Sequence, residues 1–292
     1  MLLNEIVARG ETVPLASFSL HPGLAAEIQT RLGAIGVLDP PVDGNFGPVS
    51  RWALEAFNGA PVSAVTPQLA DALINAALFP LTAADELTVR LMAAMERRGC
   101  WLSRLPGCIN IVYIEGMGPD GAFNDNRPNR FNDARFVLSV GEGGVVSIAG
   151  AWEATTEPGK KFTETPENPL GAARISFGQF KAWAVGNHRN RPDHEALVQV
   201  SPITIYRDRN RDFRRDGDTT QTDTFGMNQH HGFNYSADDI RDASAGCLVG
   251  RSIEGHRKFM RLVKSDPRYG ASRGYRFMTS VLDSTHMVMN VT

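Results

Sequence analysis

The chain has 292 residues, of which 42% are hydrophobic, so it is long enough to bury one sizeable core and a second, smaller one. A formal net charge of −2 gives no basic field for nucleic acid, and the arginines between residues 207 and 215 are interleaved with aspartates. No segment reaches the roughly 18 apolar residues that a membrane-spanning helix needs, so we expect no membrane insertion.

The first 23 residues lack the continuous apolar run of a secretory signal. Glu5, Arg9, Glu11 and Pro14 interrupt this segment. The sequence therefore predicts a protein without an export signal of its own.

Residues 20–79 have the spacing of a small three-helix module. Gly44 and Gly47 fit a tight turn, because glycine adopts backbone angles that other residues avoid. The apolar residues that would close the core of the module are Ile28, Leu32, Ile35, Phe46, Trp52, Leu54 and Phe57. This segment resembles the peptidoglycan-binding domain family, in which a helix bearing Gln and Leu leads into an Asp-Gly-x-Phe-Gly turn. The resemblance implies a wall-binding domain over residues 1–80.

Residues 81–108 are predicted to form a linker helix and a loop, with the domain boundary near Pro80. The segment Thr82-Ala-Ala-Asp85 predicts a capping box at the start of the helix. Leu87, Leu91 and Met95 repeat every four residues, which places them on one helical face.

The chain has three cysteines, too few for a disulfide framework. Cys100 and Cys108 flank a short Pro-Gly loop. They either pair in an oxidising compartment or stay reduced in a cytosolic one. In both cases Cys247 is left as a free thiol.

Residues 109–292 contain the short alternating runs of a β-rich domain with flanking helices. Arg135–Val140 and Val145–Ile148 alternate like paired strands about a glycine-rich turn. The run from Asp120 to Asp133, rich in Asn, Asp, Arg and Pro, is predicted to be a long surface loop. Together with the helical N-terminal module, these runs predict an α+β fold class.

An acidic stretch further along the chain partly matches a calcium-binding loop. Oxygen-bearing side chains stand at positions 1, 3, 5 and 9 of the pattern, as Asp208, Asn210, Asp212 and Asp216. Glycine is missing at position 6, and Thr219 stands where a bidentate glutamate belongs. A charged hairpin loop near the active site is therefore preferred over a calcium site.

A histidine followed by a cysteine marks the main candidate site. His231 ends the run Phe225-Gly-Met-Asn-Gln-His-His before a glycine, and Cys247 follows it by 16 positions in the turn Ser244-Ala-Gly-Cys247. These residue types fit a general base and a nucleophile that meet in one active site. The helix predicted over Ser252–Lys264 would bring its positive N-terminal end near the thiolate.

This order of residues resembles the L,D-transpeptidase (YkuD-type) family of cell-wall enzymes, whose signature is a His-Gly, a short loop and Ser-His-Gly-Cys. The resemblance covers about residues 109–290 and includes Gly150–Gly159, which matches the segment before the catalytic half of the family. Two family residues differ here, because Ala245 replaces the histidine before Gly-Cys and Val249 replaces an arginine. Arg251 is the nearest residue that could bind a substrate carboxylate instead.

The resemblance implies acyl transfer from a peptide to Cys247. His231 is preferred over His230 as the base because it precedes the glycine, which leaves His230 as a substrate contact. Ser244 is expected to position the turn. The main-chain N–H groups of Gly246 and Cys247 are expected to form an oxyanion hole.

Both resemblances concern the same polymer, so we predict an enzyme that degrades or modifies peptidoglycan through a cysteine acyl-enzyme. A wall enzyme without an export signal resembles a bacteriophage endolysin, which stays in the host cytoplasm until a holin opens the membrane. This interpretation implies a monomer that uses no cofactor and no bound metal.

Two alternatives stay open. Glu153 and Glu157 bracket a Thr-Thr turn, and paired carboxylates cleave glycans when an apolar setting raises the pKa of one of them, so the protein could be a muramidase. The changes at Ala245 and Val249 also leave open a non-catalytic wall-binding or virion structural protein.

Overall fold

The computed structural model describes residues 1–288. The α-helices are α1 (Leu3–Arg9), α2 (Pro22–Ala34), α3 (Pro48–Asn58), α4 (Pro67–Asn75), α5 (Glu86–Arg97), α6 (Lys160–Glu164), α7 (Ile253–Ser265) and α8 (Pro267–Ala271). The β-strands are β1 (Val13–Pro14), β2 (Ala64–Val65), β3 (Thr82–Ala83), β4 (Ile109–Glu115), β5 (Asp133–Val140), β6 (Val145–Thr155), β7 (Ala172–Ile175), β8 (Gly178–Asn187), β9 (Glu195–Gln199), β10 (Ile203–Asp208), β11 (Thr219–Asp223), β12 (Gln229–His231), β13 (Leu248–Gly250) and β14 (Phe277–Asp283).

The N-terminal unit is helical, as the spacing of its apolar residues predicts. Pro48 begins α3, and Pro67 begins α4 directly after Thr66, whose Oγ1 accepts the N–H of Leu69 at 3.2 Å. Residues of α1 join the same hydrophobic cluster as α2, α3 and α4. The packed unit therefore begins before residue 20.

Gln29 holds the turn between α2 and α3. Its Oε1 accepts the N–H of Gly44 at 2.8 Å, and its Nε2 donates to Asp43 Oδ1 at 2.9 Å and to Ser50 Oγ at 3.0 Å. Gly44 has a φ of +72°, which glycine adopts without steric cost. The turn predicted from the Asp-Gly-x-Phe-Gly pattern is thus fixed by a buried glutamine of the preceding helix.

The linker helix begins later than its sequence predicts. Thr82 lies in β3, which pairs in parallel with β6. Asp85 is the N-cap of α5, and its Oδ1 accepts the N–H of Thr88 at 2.8 Å. The expected capping box at Thr82 is therefore wrong, because that residue is held in a sheet. Leu91 and Met95 are buried, as their spacing predicts.

Eight strands close into a β-barrel. Hydrogen-bonded neighbours follow the order β13-β12-β9-β8-β14-β4-β5-β6, and β6 pairs with β13 to complete the ring. Full closure leaves no unpaired strand edge in the ring. A separate sheet contains β11, β10 and β7. The fold is therefore a mixed α and β fold with a closed barrel.

Alternate residues of β4 pack on opposite faces of the barrel sheet. Ile111 and Tyr113 join a cluster with Trp183 and with Phe259 of α7. Val112 joins a second cluster that includes residues of α5. Because side chains alternate along a strand, β4 contributes to two separate hydrophobic clusters, one with α7 and one with α5.

Two further predicted elements are present. β5 and β6 form an antiparallel hairpin in which Val140 pairs with Val146 about the glycine-rich turn. α7 begins after Ser252, whose Oγ accepts the N–H of Gly255 at 3.0 Å. Both predictions rest on local patterns, and the structure confirms them.

Cys100 and Cys108 are buried free thiols in the segment between α5 and β4. Of the two states that the sequence leaves open, the structure has the unpaired one. Within residues 1–288, no helix is both long and apolar enough to cross a membrane.

Candidate active site

Two parallel strands bring Cys247 close to the histidines. β12 and β13 pair so that Gln229 lies opposite Leu248 and His230 lies opposite Val249. Cys247 precedes β13 and is therefore level with Asn228. The backbone N–H of Asn228 donates to Cys247 Sγ at 3.4 Å.

Gln199 of β9 fixes the segment that leads into β12. Its Oε1 accepts the N–H groups of Phe225 and Met227 at 3.1 and 2.9 Å, and its own backbone N–H donates to Asn228 Oδ1 at 2.9 Å. Gln199 is 7% exposed, so water competes little for these bonds. The wall of the site is thus held by a neighbouring strand of the barrel.

Strand alternation decides which histidine faces the thiol. Gln229 and His231 share one face of β12, where His231 stacks on His194 with the ring centroids 3.9 Å apart. His230 points to the opposite face, which it shares with Cys247. The structure therefore places His230 beside Cys247, and not His231, which the sequence favoured.

A second imidazole, that of His188, completes the cluster. One ring nitrogen of His188, one of His230 and Cys247 Sγ all lie within 4.8 Å of one another. The ring centroids of the two histidines are 4.0 Å apart. His188 follows β8 in a short 3₁₀ turn. Sequence reasoning missed it, because no motif or spacing connects it to the cysteine.

Hydrogen bonds fix which nitrogen of each imidazole carries hydrogen. His230 Nδ1 lies 2.9 Å from the carbonyl oxygen of His231, which can only accept, so Nδ1 carries the hydrogen and Nε2 keeps a free lone pair. Asn228 Oδ1 accepts the N–H of Gln199, so Asn228 Nδ2 donates to His188 Nδ1 at 3.0 Å. The hydrogen of His188 is therefore on Nε2. The site has one proton acceptor, on His230, and one N–H donor, on His188.

All three groups are uncharged at neutral pH. Although part of Cys247 faces a cavity, enclosure by the protein raises the pKa of its thiol to about 11, against the lowering effect of the Asn228 N–H and the Arg189 charge. Burial lowers the pKa of His188 to about 4, and burial together with His188 holds the pKa of His230 well below its ordinary value. A neutral thiol beside a neutral imidazole requires that the proton moves during attack.

The turn from Ser244 to Cys247 presents the thiol. Ser244 Oγ accepts the N–H of Gly246 at 3.1 Å and donates to the carbonyl oxygen of Cys247 at 2.9 Å. Gly246 has a φ of +135°, and a Cβ there would lie 2.8 Å from the carbonyl oxygen of Ala173, so the position requires glycine. Of the two N–H groups expected to form the oxyanion hole, that of Gly246 already donates to Ser244 Oγ. The Cys247 N–H makes no hydrogen bond within residues 1–288.

Cys247 opens into a cavity of about 620 Å³, a volume typical of pockets that hold small ligands. Ala245, which stands where the family has a histidine, lines this cavity. The polar and charged residues that line it are Glu167, Asn168, His188, Arg189, Arg207 and Asn228.

The structure does not bring Arg251 to the thiol. Arg251 Nη1 donates to the carbonyl oxygen of Tyr235 at 3.2 Å, and its Nε forms an ion pair with Glu153. Val249 is fully buried. Because neither Arg251 nor Val249 lines the cavity, the carboxylate-binding role expected of Arg251 has no geometric support at this site.

The N-terminal end of α7 does not lie beside the thiol either. Three strand residues separate Cys247 from the segment that begins α7, and each advances the chain by about 3.3 Å. The potential of a helix end falls off within its first turn, so α7 cannot lower the pKa of this thiol. The sequence-based expectation that the N-terminal end of α7 lies near the thiolate is therefore wrong, because β13 lies between them.

Glu153 and Glu157 have separate surroundings. Glu153 is half-buried beside Arg251, whereas Glu157 is 6% exposed and ion-paired with Arg174. Burial raises the pKa of Glu157 to about 7, against the lowering effect of Arg174. Glu157 lines a second cavity, of about 480 Å³, together with Glu115. The pair required by the muramidase alternative therefore does not share a cavity.

The acidic loop after β10 binds its own backbone. Asp208 Oδ1 and Oδ2 each accept a backbone N–H of the loop at 3.1 Å, and Asn210 Nδ2 donates to Asp212 Oδ2 at 2.8 Å. Asp216 is exposed. Oxygens that already accept N–H groups do not form the open cage that Ca²⁺ needs, so the loop matches the charged hairpin interpretation.

Among residues 1–288, the group of His, Cys, Asp or Glu side chains spaced to share a metal ion is His188, His230 and Cys247. Both nitrogens of His188 are committed, because Nδ1 accepts from Asn228 and Nε2 carries hydrogen. An imidazole ligates Zn²⁺ only through a free lone pair. The hydrogen bonds thus favour a thiol and a base over a metal centre.

Comparisons with known proteins add little to this geometry. No protein-family model matches the chain, and no curated protein matches it. One similar solved structure, from Clostridium acetobutylicum ATCC 824, is described as a fused Zn-dependent amidase/peptidase and peptidoglycan-binding domain-containing protein. It is 12% identical, the match covers 93% of this chain and 99% of that one, and the TM-score is 0.34. A likeness at that level assigns neither a fold nor an activity.

Proposed function

We propose that this protein is a peptidoglycan-modifying enzyme in which Cys247 attacks a peptide carbonyl of the wall, with His230 as the base. The observation that carries the proposal is the placement of Cys247 and His230 on one face of the β12 and β13 pair. Cys247 lines the cavity of about 620 Å³, and both residues line a smaller pocket of about 70 Å³ that shares Cys247 with it. The substrate class comes from the sequence, since the N-terminal module and the His-Cys order each resemble a wall-directed family.

The proposed reaction begins with proton transfer from Cys247 Sγ to His230 Nε2, the free lone pair of that imidazole. The sulfur then bonds to the carbonyl carbon, and the carbonyl electrons move onto oxygen. When the C–N bond breaks, protonated His230 returns its proton to the departing amine and a thioester remains. Water or an acceptor amine then attacks the thioester and releases Cys247. Catalytic hydrogen bonds are often long before substrate binds, so a separation of up to 4.8 Å fits this role.

Two N–H groups support the developing oxyanion in this proposal. The Cys247 N–H makes no hydrogen bond within residues 1–288, and His188, whose hydrogen is on Nε2, has a ring nitrogen in the same cluster as the thiol. Donors that face the carbonyl oxygen in a partly desolvated cavity stabilise the tetrahedral intermediate. His188 thus acts as a neutral donor, while His230 acts as the acceptor.

Mass spectrometry of fragments released from purified sacculi tests the proposal. Wild-type protein, Cys247→Ala and Glu157→Gln are compared, each with and without a metal chelator. The proposal expects new peptide termini or cross-links that vanish only with Cys247→Ala and persist with the chelator. Cleaved glycan ends that survive Cys247→Ala but are lost with Glu157→Gln would establish the muramidase alternative. Activity abolished by the chelator would indicate a metal centre instead.

A further inference from the structure

Arg207 stands out among the residues that line the Cys247 cavity. It lies on β10, is 7% exposed and faces the same cavity as the thiol. Its Nε donates to Gln221 Oε1 at 2.8 Å, and its Nη1 lies at a long 3.4 Å from the carbonyl oxygen of Gly171. The ring of Phe225 lies 5.2 Å from its guanidinium carbon. These contacts fix the guanidinium in place without neutralising its charge.

Among the other buried arginines, Arg174 and Arg268 have carboxylate partners, whereas Arg135 lies against the rings of Trp152 and Phe259 and bonds His256. Arg174 pairs with Glu157 and Asp208, and Arg215 pairs with Glu115. No salt bridge within residues 1–288 involves Arg207. Burial lowers the pKa of Arg207, as expected for a charge that is desolvated and not compensated. A buried cation is costly unless it is paired, so a ligand is the natural source of the missing anion.

The rim of the cavity is positively charged, like Arg207. Arg189 lines the cavity beside Cys247, is exposed, and also lacks a salt bridge within the described part of the chain. Its φ of +51° is rare for a residue with a side chain, so the surrounding turn holds it in a strained conformation. Glu167 is the one acidic residue among those that line the cavity, and it is exposed. Two cations against one exposed acid leave the cavity positive.

We infer that Arg207, assisted by Arg189, binds a carboxylate of the peptide that acylates Cys247, so the substrate is an acidic peptide and not a neutral one. The inference rests on the proposed function and names the substrate class of that site. Arg207 Nη2 makes no hydrogen bond within residues 1–288, so the guanidinium keeps N–H groups that can donate to a carboxylate. The role that the sequence suggested for Arg251 is thereby taken by an arginine from a distant strand.

The test measures equilibrium binding to the non-reacting Cys247→Ser variant, so it needs no turnover. The probes are a wall stem peptide and the same peptide with its carboxylates converted to amides, with inorganic phosphate as a competitor. Loss of a charged hydrogen bond predicts that Arg207→Gln weakens binding of the acidic peptide by roughly tenfold to a hundredfold. Arg207→Lys should restore part of this loss. Exposed Arg209, the first residue after β10, supplies the matched control, and Arg209→Gln should leave binding unchanged.

Equal affinity of the intact pocket for the acidic and amidated peptides would overturn the inference, and so would an equal effect of Arg209→Gln. Displacement of the acidic peptide by phosphate at equal concentration would show a general anion site and overturn the assignment to a carboxylate. If Arg207→Gln does not fold, the affinities of the Cys247→Ser protein for the acidic and the amidated peptide still test whether the cavity binds a carboxylate. If the protein binds the acidic peptide selectively but the wild type forms no acyl-enzyme, the carboxylate-binding role of Arg207 is supported and only the proposed function is refuted.

Discussion

Replacement of His230 tests the assignment of the base. In His230→Gln the side chain keeps an N–H donor for the carbonyl oxygen of His231 but loses the imidazole that accepts the thiol proton. With a thiol pKa of about 11, about one molecule in 10⁴ carries a thiolate at pH 7. A variant without its base depends on that small fraction. The rate of acylation should therefore fall by about 10²- to 10⁴-fold.

The pH profile separates this mechanism from a structural effect. The His230→Gln rate should rise about tenfold for each pH unit between 7 and 9, because the thiolate fraction rises by that factor below the thiol pKa. The wild-type rate should change little over the same range, since the pKa of His230 is well below its ordinary value and the base is already neutral. Single-turnover acylation of the protein by a reactive thioester measures both profiles.

The matched control is His231→Gln, which changes the adjacent residue on the opposite face of β12. His231 stacks on His194 and does not belong to the thiol cluster, so its loss should change the acylation rate only a few-fold. A severe loss in His231→Gln with a mild one in His230→Gln would refute the geometric assignment and restore the base that the sequence favoured.

Three predictions concern stability. Gly246→Ala should lower the free energy of unfolding by about 1–3 kcal/mol in urea denaturation, because its Cβ would meet the carbonyl oxygen of Ala173 at 2.8 Å with φ at +135°; an unchanged midpoint would contradict this. Asp85→Ala should cost about 1 kcal/mol through loss of the cap on α5, and Thr82→Ala should cost less; the reverse order in thermal unfolding would restore the capping box. Folding raises the pKa of Glu157 from 4.5 to about 7. The contribution of the protonated carboxyl to the free energy of unfolding is therefore complete below pH 4.5 and is lost as pH rises through 7. Relative to Glu157→Gln, the wild type should therefore lose up to about 3 kcal/mol of unfolding free energy between pH 4 and pH 8. A wild type that gains stability relative to the variant as pH rises would contradict the sign.

The parts of the fold that the sequence predicts are local. The helical spacing of apolar residues predicts α2 and α5. The glycine-rich turn between two alternating runs predicts the hairpin of β5 and β6. Closure of the barrel depends on the pairing of Val249 with Thr155, far apart in the chain. No local pattern encodes a contact of that range, which explains why the sequence predicted a β-rich domain but not a barrel.

The candidate site likewise has one part that local sequence predicts and another part that depends on tertiary structure. Cys247 is recognisable from its small-residue turn, but the choice between His230 and His231 depends on the face of a three-residue strand, which a shift of one position reverses. His188 and Arg207 reach the cavity through the packing of β8 and β10. Their positions follow from tertiary structure, and neither has a sequence signal that relates it to the cysteine.

The central claim is that a wall peptide acylates Cys247. Intact-protein mass spectrometry after brief exposure of the protein to purified wall peptides tests this most directly. The account predicts a mass increase equal to the acyl part of the peptide, which is located on Cys247 by digestion, reversed by hydroxylamine and absent from Cys247→Ala. Release of wall fragments by a protein that never carries this adduct, and whose activity survives Cys247→Ala, would contradict the account.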